Sequence, residues 1–175
     1  MIQVVRRSLA IVSVSGLLAS IVIYVASYRG ATMDSIGRWA IVLHIGIFVL
    51  LLPMYAVEYP TVRQRTFFPK GFARGMPKWV VPGIKLLALF FAVHFVLFLM
   101  QSHASAPEIK NGEYVLSDHG KIVKTLTQSE FYKLKGAELR LFATGWMFFY
   151  FVPAAYWWFP RTEQETIGNL GTNRV

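Results

Sequence analysis

The chain has 175 residues, 55% of them hydrophobic and 15% aromatic, and a formal net charge of +9. Apolar runs of about 20 residues exceed what a water-soluble domain of this size can cover with polar surface, so a bilayer is the expected solvent. There is no cysteine, which removes disulfides, thiolate chemistry and iron–sulfur clusters, and the positive charge gathers beside apolar segments, which argues for lipid rather than nucleic acid as its partner.

Four segments read as transmembrane helices, because a helix pairs its own backbone groups where water is absent. The first is 8–28, Ser8 to Tyr28, without a charge and flanked by Arg6, Arg7 and Arg29. It is longer than the apolar core of a signal peptide and reads as an uncleaved anchor. On it Ser13, Gly16 and Ser20 recur at helical spacing, a small-residue stripe that lets another helix approach and marks a packing face. The second segment is 39–57, Trp39 to Val57, with His44 and Pro53 inside and Glu58 just beyond its end.

Residues 58–78 follow, Glu58 and then YPTVRQRTFFPKGFARGMPK. This loop carries Arg63, Arg65, Lys70, Arg74 and Lys78, interleaved with phenylalanines, and reads as a basic cytoplasmic loop lying on anionic lipid headgroups. The third segment is 79–100, Trp79 to Met100, with Lys85 and His94 inside. Lys85 lies near the cytoplasmic end, where an ammonium can snorkel to the interface; as an ionisable residue within a span it is also a candidate for a transport path, as is Glu58.

The cap, residues 101–140, is expected outside the cytoplasm. Within it GEYVLSDHGKIVKTLT reads as a β-hairpin around a three-residue loop Asp118-His119-Gly120, pairing Leu116 with Ile122 and Tyr114 with Lys124. Thr127 and Glu130 form a capping box that starts a helix, whose Phe131 and Leu134 can receive the hairpin. That helix runs unbroken into the fourth segment or bends at Gly136. The fourth segment is 141–159, Leu141 to Phe159, interrupted by Pro153, and 160–175 is a polar cytoplasmic tail.

The expected architecture is an all-α integral membrane protein: a single membrane domain over 1–175, a four-transmembrane-helix bundle with a small extracytoplasmic hairpin-plus-helix cap between helices 3 and 4. Loop charges put both termini in the cytoplasm, and a multi-pass bacterial inner-membrane protein is the expected setting.

The two intramembrane histidines are the candidate cofactor ligands. In this topology His44 and His94 lie level, about 8–10 Å below the outer boundary. Two imidazoles at one depth can clamp b-type haem, hydrogen-bond a quinone, or simply satisfy a neighbouring hydroxyl. Axial ligation of haem needs the two backbones about 12 Å apart, wider than neighbouring helices stand, so the second and third helices would have to lie diagonally. No metal-ligand spacing, phosphate loop, nucleophile elbow or paired carboxylates point to catalysis. The expected role is a non-enzymatic accessory or structural subunit that binds another membrane or envelope protein, or a second copy of itself. The alternatives are a redox carrier using His44 and His94, and a small transport or permeation unit.

Overall fold

A computed structural model describes residues 2–62, 75–103 and 105–159. In chain order they form α1 (Ile2–Ser27), α2 (Met33–Ile36), α3 (Arg38–Val62), α4 (Val80–Ser102), β1 (Ala106–Lys110), β2 (Glu113–Asp118), β3 (Lys121–Thr125) and α5 (Gln128–Trp158). The strands make an open antiparallel sheet in the order β1-β2-β3.

Among the described residues three helices are long and apolar enough to cross a membrane: Gln3–Ser27, Arg38–Ala56 and Val80–Ser102. The expected four-transmembrane-helix bundle is therefore corrected to three candidate spans, a fifth, longer helix and a three-stranded sheet. The segment 141–159 falls short because Thr144, Gly145, Trp146, Tyr150, Pro153, Tyr156, Trp157 and Trp158 dilute its aliphatic content. Its surroundings explain why it can do so. α5 is the helix that the other three pack around: α1 and α4 lie along it, and α3 touches it as well. From Ala143 to Tyr156 it buries residues on most of its circumference. A helix walled by protein can carry hydroxyls, indoles and glycines, whereas one facing lipid cannot.

The outer three helices show the complementary pattern. They turn Val22 (67% exposed), Leu52 (65%) and Leu86 (67%) away from α5, an apolar surface far too extensive for water. Ala10, Ser13, Ser20 and Ser27 of α1 are buried, as is Gly16. Each buried serine is satisfied within its own helix: Ser13 Oγ donates to the Leu9 carbonyl and Ser20 Oγ to that of Gly16, both at 2.7 Å, and Ser27 Oγ to that of Tyr24 at 2.6 Å.

One side chain joins three helices. The ring of Tyr150, on α5, lies where a Cβ on Gly16 of α1 would stand, and its hydroxyl lies where a Cβ on Gly46 of α3 would stand. That hydroxyl donates to the Leu43 carbonyl of α3 at 2.8 Å. Leu43, Ile47 and Leu50 of α3 close over Leu139, Ala143, Trp146 and Tyr150 of α5 around this contact. Further along α5, Val152, Ala155 and Tyr156 meet Met54 of α3 and Val80 and Ile84 of α4.

α1 and α5 run antiparallel. At one end a Cβ on Gly136 would stand 3.5 Å from the Ser27 carbonyl oxygen, so Gly136 marks close helix contact and α5 continues through it. At the other end Arg6 Nε donates to the Trp157 carbonyl at 2.9 Å. With 31 residues, α5 is about 46 Å long, and its first two turns project beyond the end of α1.

The sheet packs on that projection. Leu116 and Leu126 bury against Phe131 and Leu134, with Tyr114 alongside. The expected hairpin is corrected in extent and register. An additional strand, β1, is joined to β2 through Asn111-Gly112, both at positive φ (52° and 83°), as a two-residue hairpin turn of the I′ kind requires. The loop between β2 and β3 holds two residues, His119 and Gly120, again both at positive φ (47° and 85°). Asp118 therefore pairs with Lys121 and Ser117 with Ile122, and a bulge then brings Leu116 opposite Lys124. Ile122 is exposed rather than part of the Leu116 face.

The capping box at the start of α5 is reciprocal. Glu130 N donates to Thr127 Oγ1 at 3.2 Å, and Thr127 N donates to Glu130 Oε2 at 2.8 Å. Lys124 of β3 adds a 2.9 Å bond to Glu130 Oε1. These donors, the Thr127 backbone first, hold the Glu130 carboxyl down at about 2 from its usual 4.5.

In detergent unfolding titrations, Tyr150→Phe should destabilise by about 0.5–1.5 kcal/mol through loss of one hydrogen bond, and Gly16→Val by about 1–3 kcal/mol through overpacking. Because the folded carboxyl titrates below the unfolded one, the Glu130 contribution is complete above about 4.5 and disappears as pH falls towards about 2. Amide protection factors at Glu130 and Phe131, exchange rates relative to the unstructured rate at the same pH, should fall over that window, and Glu130→Gln should flatten the pH dependence.

Candidate functional site

His44 and His94 are held by different partners, and hydrogen-bond chemistry assigns the tautomer of each. On α3, His44 Nδ1 lies 3.2 Å from Trp146 Nε1 on α5. An indole nitrogen only donates, so Nδ1 is the acceptor and the neutral ring carries its proton on Nε2. Phe142 and Trp146 of α5 present ring edges to this imidazole, with centroids 6.1 and 6.4 Å away.

On α4, His94 Nδ1 lies 3.0 Å from the Phe90 carbonyl oxygen of the preceding turn. A carbonyl only accepts, so here Nδ1 carries the proton and Nε2 of the neutral ring accepts from the Tyr24 hydroxyl of α1 at 3.2 Å. Tyr24 in turn has Tyr28 Oη at 3.0 Å, so the chain of donors runs Tyr28 to Tyr24 to His94. The Arg140 guanidinium of α5 stands 4.8 Å from the centre of the Tyr28 ring. α1 and α4 flank α5 with little backbone approach to each other, and this polar chain links them directly. Its donor order also accounts for a histidine inside the apolar run FAVHFVLF: both ring nitrogens have partners.

The structure thus does not bring the two histidines to a common centre. His44 lines a groove with Phe48 and Leu51 of α3, Phe91 and Phe95 of α4, and Phe142, Gly145, Trp146 and Phe149 of α5; its volume is about 370 Å³. His94 is not among the lining residues, because Phe91 and Phe95 occupy the face of α4 that looks into the groove. An iron held by both rings would require His94 to give up Tyr24 or Phe90. Among the described residues no group of three or more histidines and carboxylates stands at metal-binding distances.

The other expected site residues fall in different places. Lys85 is exposed on α4 beside buried Ile84, and Lys78 is exposed just before that helix. Glu58 lies in α3, with its side chain outside the described residues, as are Arg63, Arg65, Lys70 and Arg74. Ser13, Gly16 and Ser20 form the α1 face that meets α5. His119 occupies a hairpin turn, with Nδ1 2.6 Å from Asp118 Oδ1.

Sequence reasoning missed the residues that organise this region: Trp146 and Tyr150, one turn apart on α5, and Gly46 and Gly145, which open space beside them. A usable signal was present in the polar tips of Trp146 and Tyr150. A buried indole or phenol needs an acceptor, and the fourth segment offers few side chains to provide one. No family model, no curated protein and no solved structure matches this chain.

Proposed function

We propose that this protein is a non-enzymatic accessory or structural subunit of a membrane assembly, and that its strand-bearing cap docks on a membrane or envelope protein. The setting we propose is a bacterial inner membrane, with the basic segment 58–78 and the Arg6–Trp157 end of the helices on the cytoplasmic side and the cap on the other. The charge of that segment supports the orientation.

The observation that carries this reading is the outer edge of β3. All five of its residues are exposed, and two adjacent apolar side chains, Ile122 (55%) and Val123 (58%), are turned outward on a part of the chain that stands beyond the end of α1. A free strand edge with apolar side chains accepts another strand by main-chain hydrogen bonding. Lysine usually guards such an edge, but Lys124 is tied back to Glu130 and leaves the middle of the strand open. Helix faces that would meet lipid need no such account; an apolar edge in water does.

The test is a photo-crosslinking residue at Val123, compared with one at Val22 on the outer face of α1, in native membranes. The expected result is one discrete protein adduct from position 123, absent from position 22, and lost when Ile122 is replaced by lysine. Diffuse lipid adducts from both positions, or an adduct indifferent to Ile122→Lys, would refute docking through this edge.

A further inference from the structure

We infer that the groove between α3, α4 and α5 binds a membrane-dissolved, planar carbonyl compound of the quinone class, oriented by the Nε2–H of His44. The inference stands on the groove alone and is independent of the role proposed for the cap.

Three features define the ligand. Shape comes first: the walls are aromatic rings, chiefly Phe48, Phe91, Phe95, Phe142 and Phe149, and a volume of about 370 Å³ lies at the small end for an organic ligand, enough for one planar ring system and the beginning of a chain. Aromatic walls favour a flat guest by stacking and edge contacts. Access comes second: Phe48 (57% exposed) and Phe95 (46%) flank the opening on the surface turned away from α5, so entry is from the lipid side and a long tail can remain in the bilayer.

Polarity comes third and is decisive. Trp146 takes Nδ1 of His44 and so fixes the ring with a donor at Nε2, for which no acceptor is hydrogen-bonded among the described residues. This donor is a lone polar group in a lining that is otherwise apolar apart from the engaged indole. His44 itself is exposed, so the donor stands at the open, lipid-side mouth of the groove rather than sealed inside it. A hydrocarbon chain would leave the N–H desolvated and unpaired. A carbonyl oxygen on a planar apolar molecule satisfies it and leaves every other contact apolar. Gly145 keeps the floor open: a Cβ there would stand 3.1 Å from the Phe91 ring.

The test uses the full chain in nanodiscs of quinone-free lipid, titrated with decylubiquinone and read by quenching of tryptophan fluorescence, to which Trp146 in the groove wall contributes. Saturable quenching is expected, and dodecylbenzene, which has a ring and a chain but no carbonyl, should fail to compete. His44→Phe should bind about five- to tenfold more weakly, the loss of one hydrogen bond. His44→Gln, which can accept from Trp146 and still donate to the ligand, should restore binding. Linear quenching without saturation, relief of the quenching by excess dodecylbenzene, or unchanged affinity in a folded His44→Phe variant would each overturn the proposal. Should His44→Phe not fold, the competition of dodecylbenzene against decylubiquinone in the unaltered protein decides alone.

Discussion

The phenol of Tyr150 occupies the space left by two absent side chains, Gly16 on α1 and Gly46 on α3, and its hydroxyl reaches the Leu43 carbonyl at 2.8 Å. This contact sets how closely three helices approach, because any side chain at either glycine would collide with the ring. Where lipid surrounds a bundle, burying apolar surface gains little, and association relies on close packing and hydrogen bonds. The rest of the interior follows the same logic: serines bonded to their own helix, Trp146 donating to His44, and Tyr24 donating to His94. Most inward polar atoms have partners, Ser102 Oγ and Trp157 Nε1 being exceptions, and aliphatic chains lie outward. α5 can depart from the hydropathy of a lipid-facing helix because its neighbours supply its surroundings.

The same arrangement separates two regions with different chemistry. Within the helices, α3 and α4 stand apart across α5, and the space between them is the His44 groove. Beyond the end of α1, the first turns of α5 carry the sheet, pinned by the Leu116–Phe131–Leu134 cluster and by the pair of Lys124 with Glu130. In the proposed setting the groove opens to the bilayer and the β3 edge to water.

The sequence made some of this legible for clear reasons. Unbroken apolar runs marked α1, α3 and α4, since only such runs suit contact with lipid on one whole side. Ser13, Gly16 and Ser20 were readable as a stripe because their spacing follows the helical repeat, and Thr127 with Glu130 because capping is local chemistry. The role of α5 was not legible: a count of apolar residues cannot tell a helix surrounded by lipid from one surrounded by protein. Nor were the histidine partners, since Trp146 lies 102 residues from His44 and Tyr24 70 from His94. Strand β1 lies outside the expected elements although Asn111-Gly112 suits a two-residue hairpin, and the β2–β3 register differs from expectation because His119 takes a left-handed conformation (φ 47°) that is uncommon in residues other than glycine.

The central claim is that α5 is enclosed by protein while α1, α3 and α4 face an apolar medium. Carbene footprinting of the unaltered protein in a bilayer, with a lipid-dissolved diazirine and residue-level mass spectrometry, tests it without any substitution. The account predicts heavy labelling at Val22, Leu52 and Leu86 and essentially none at Ala143, Met147 and Ala154 of α5, all of which are buried. Labelling of those three α5 residues as heavy as that of Leu52 would contradict it.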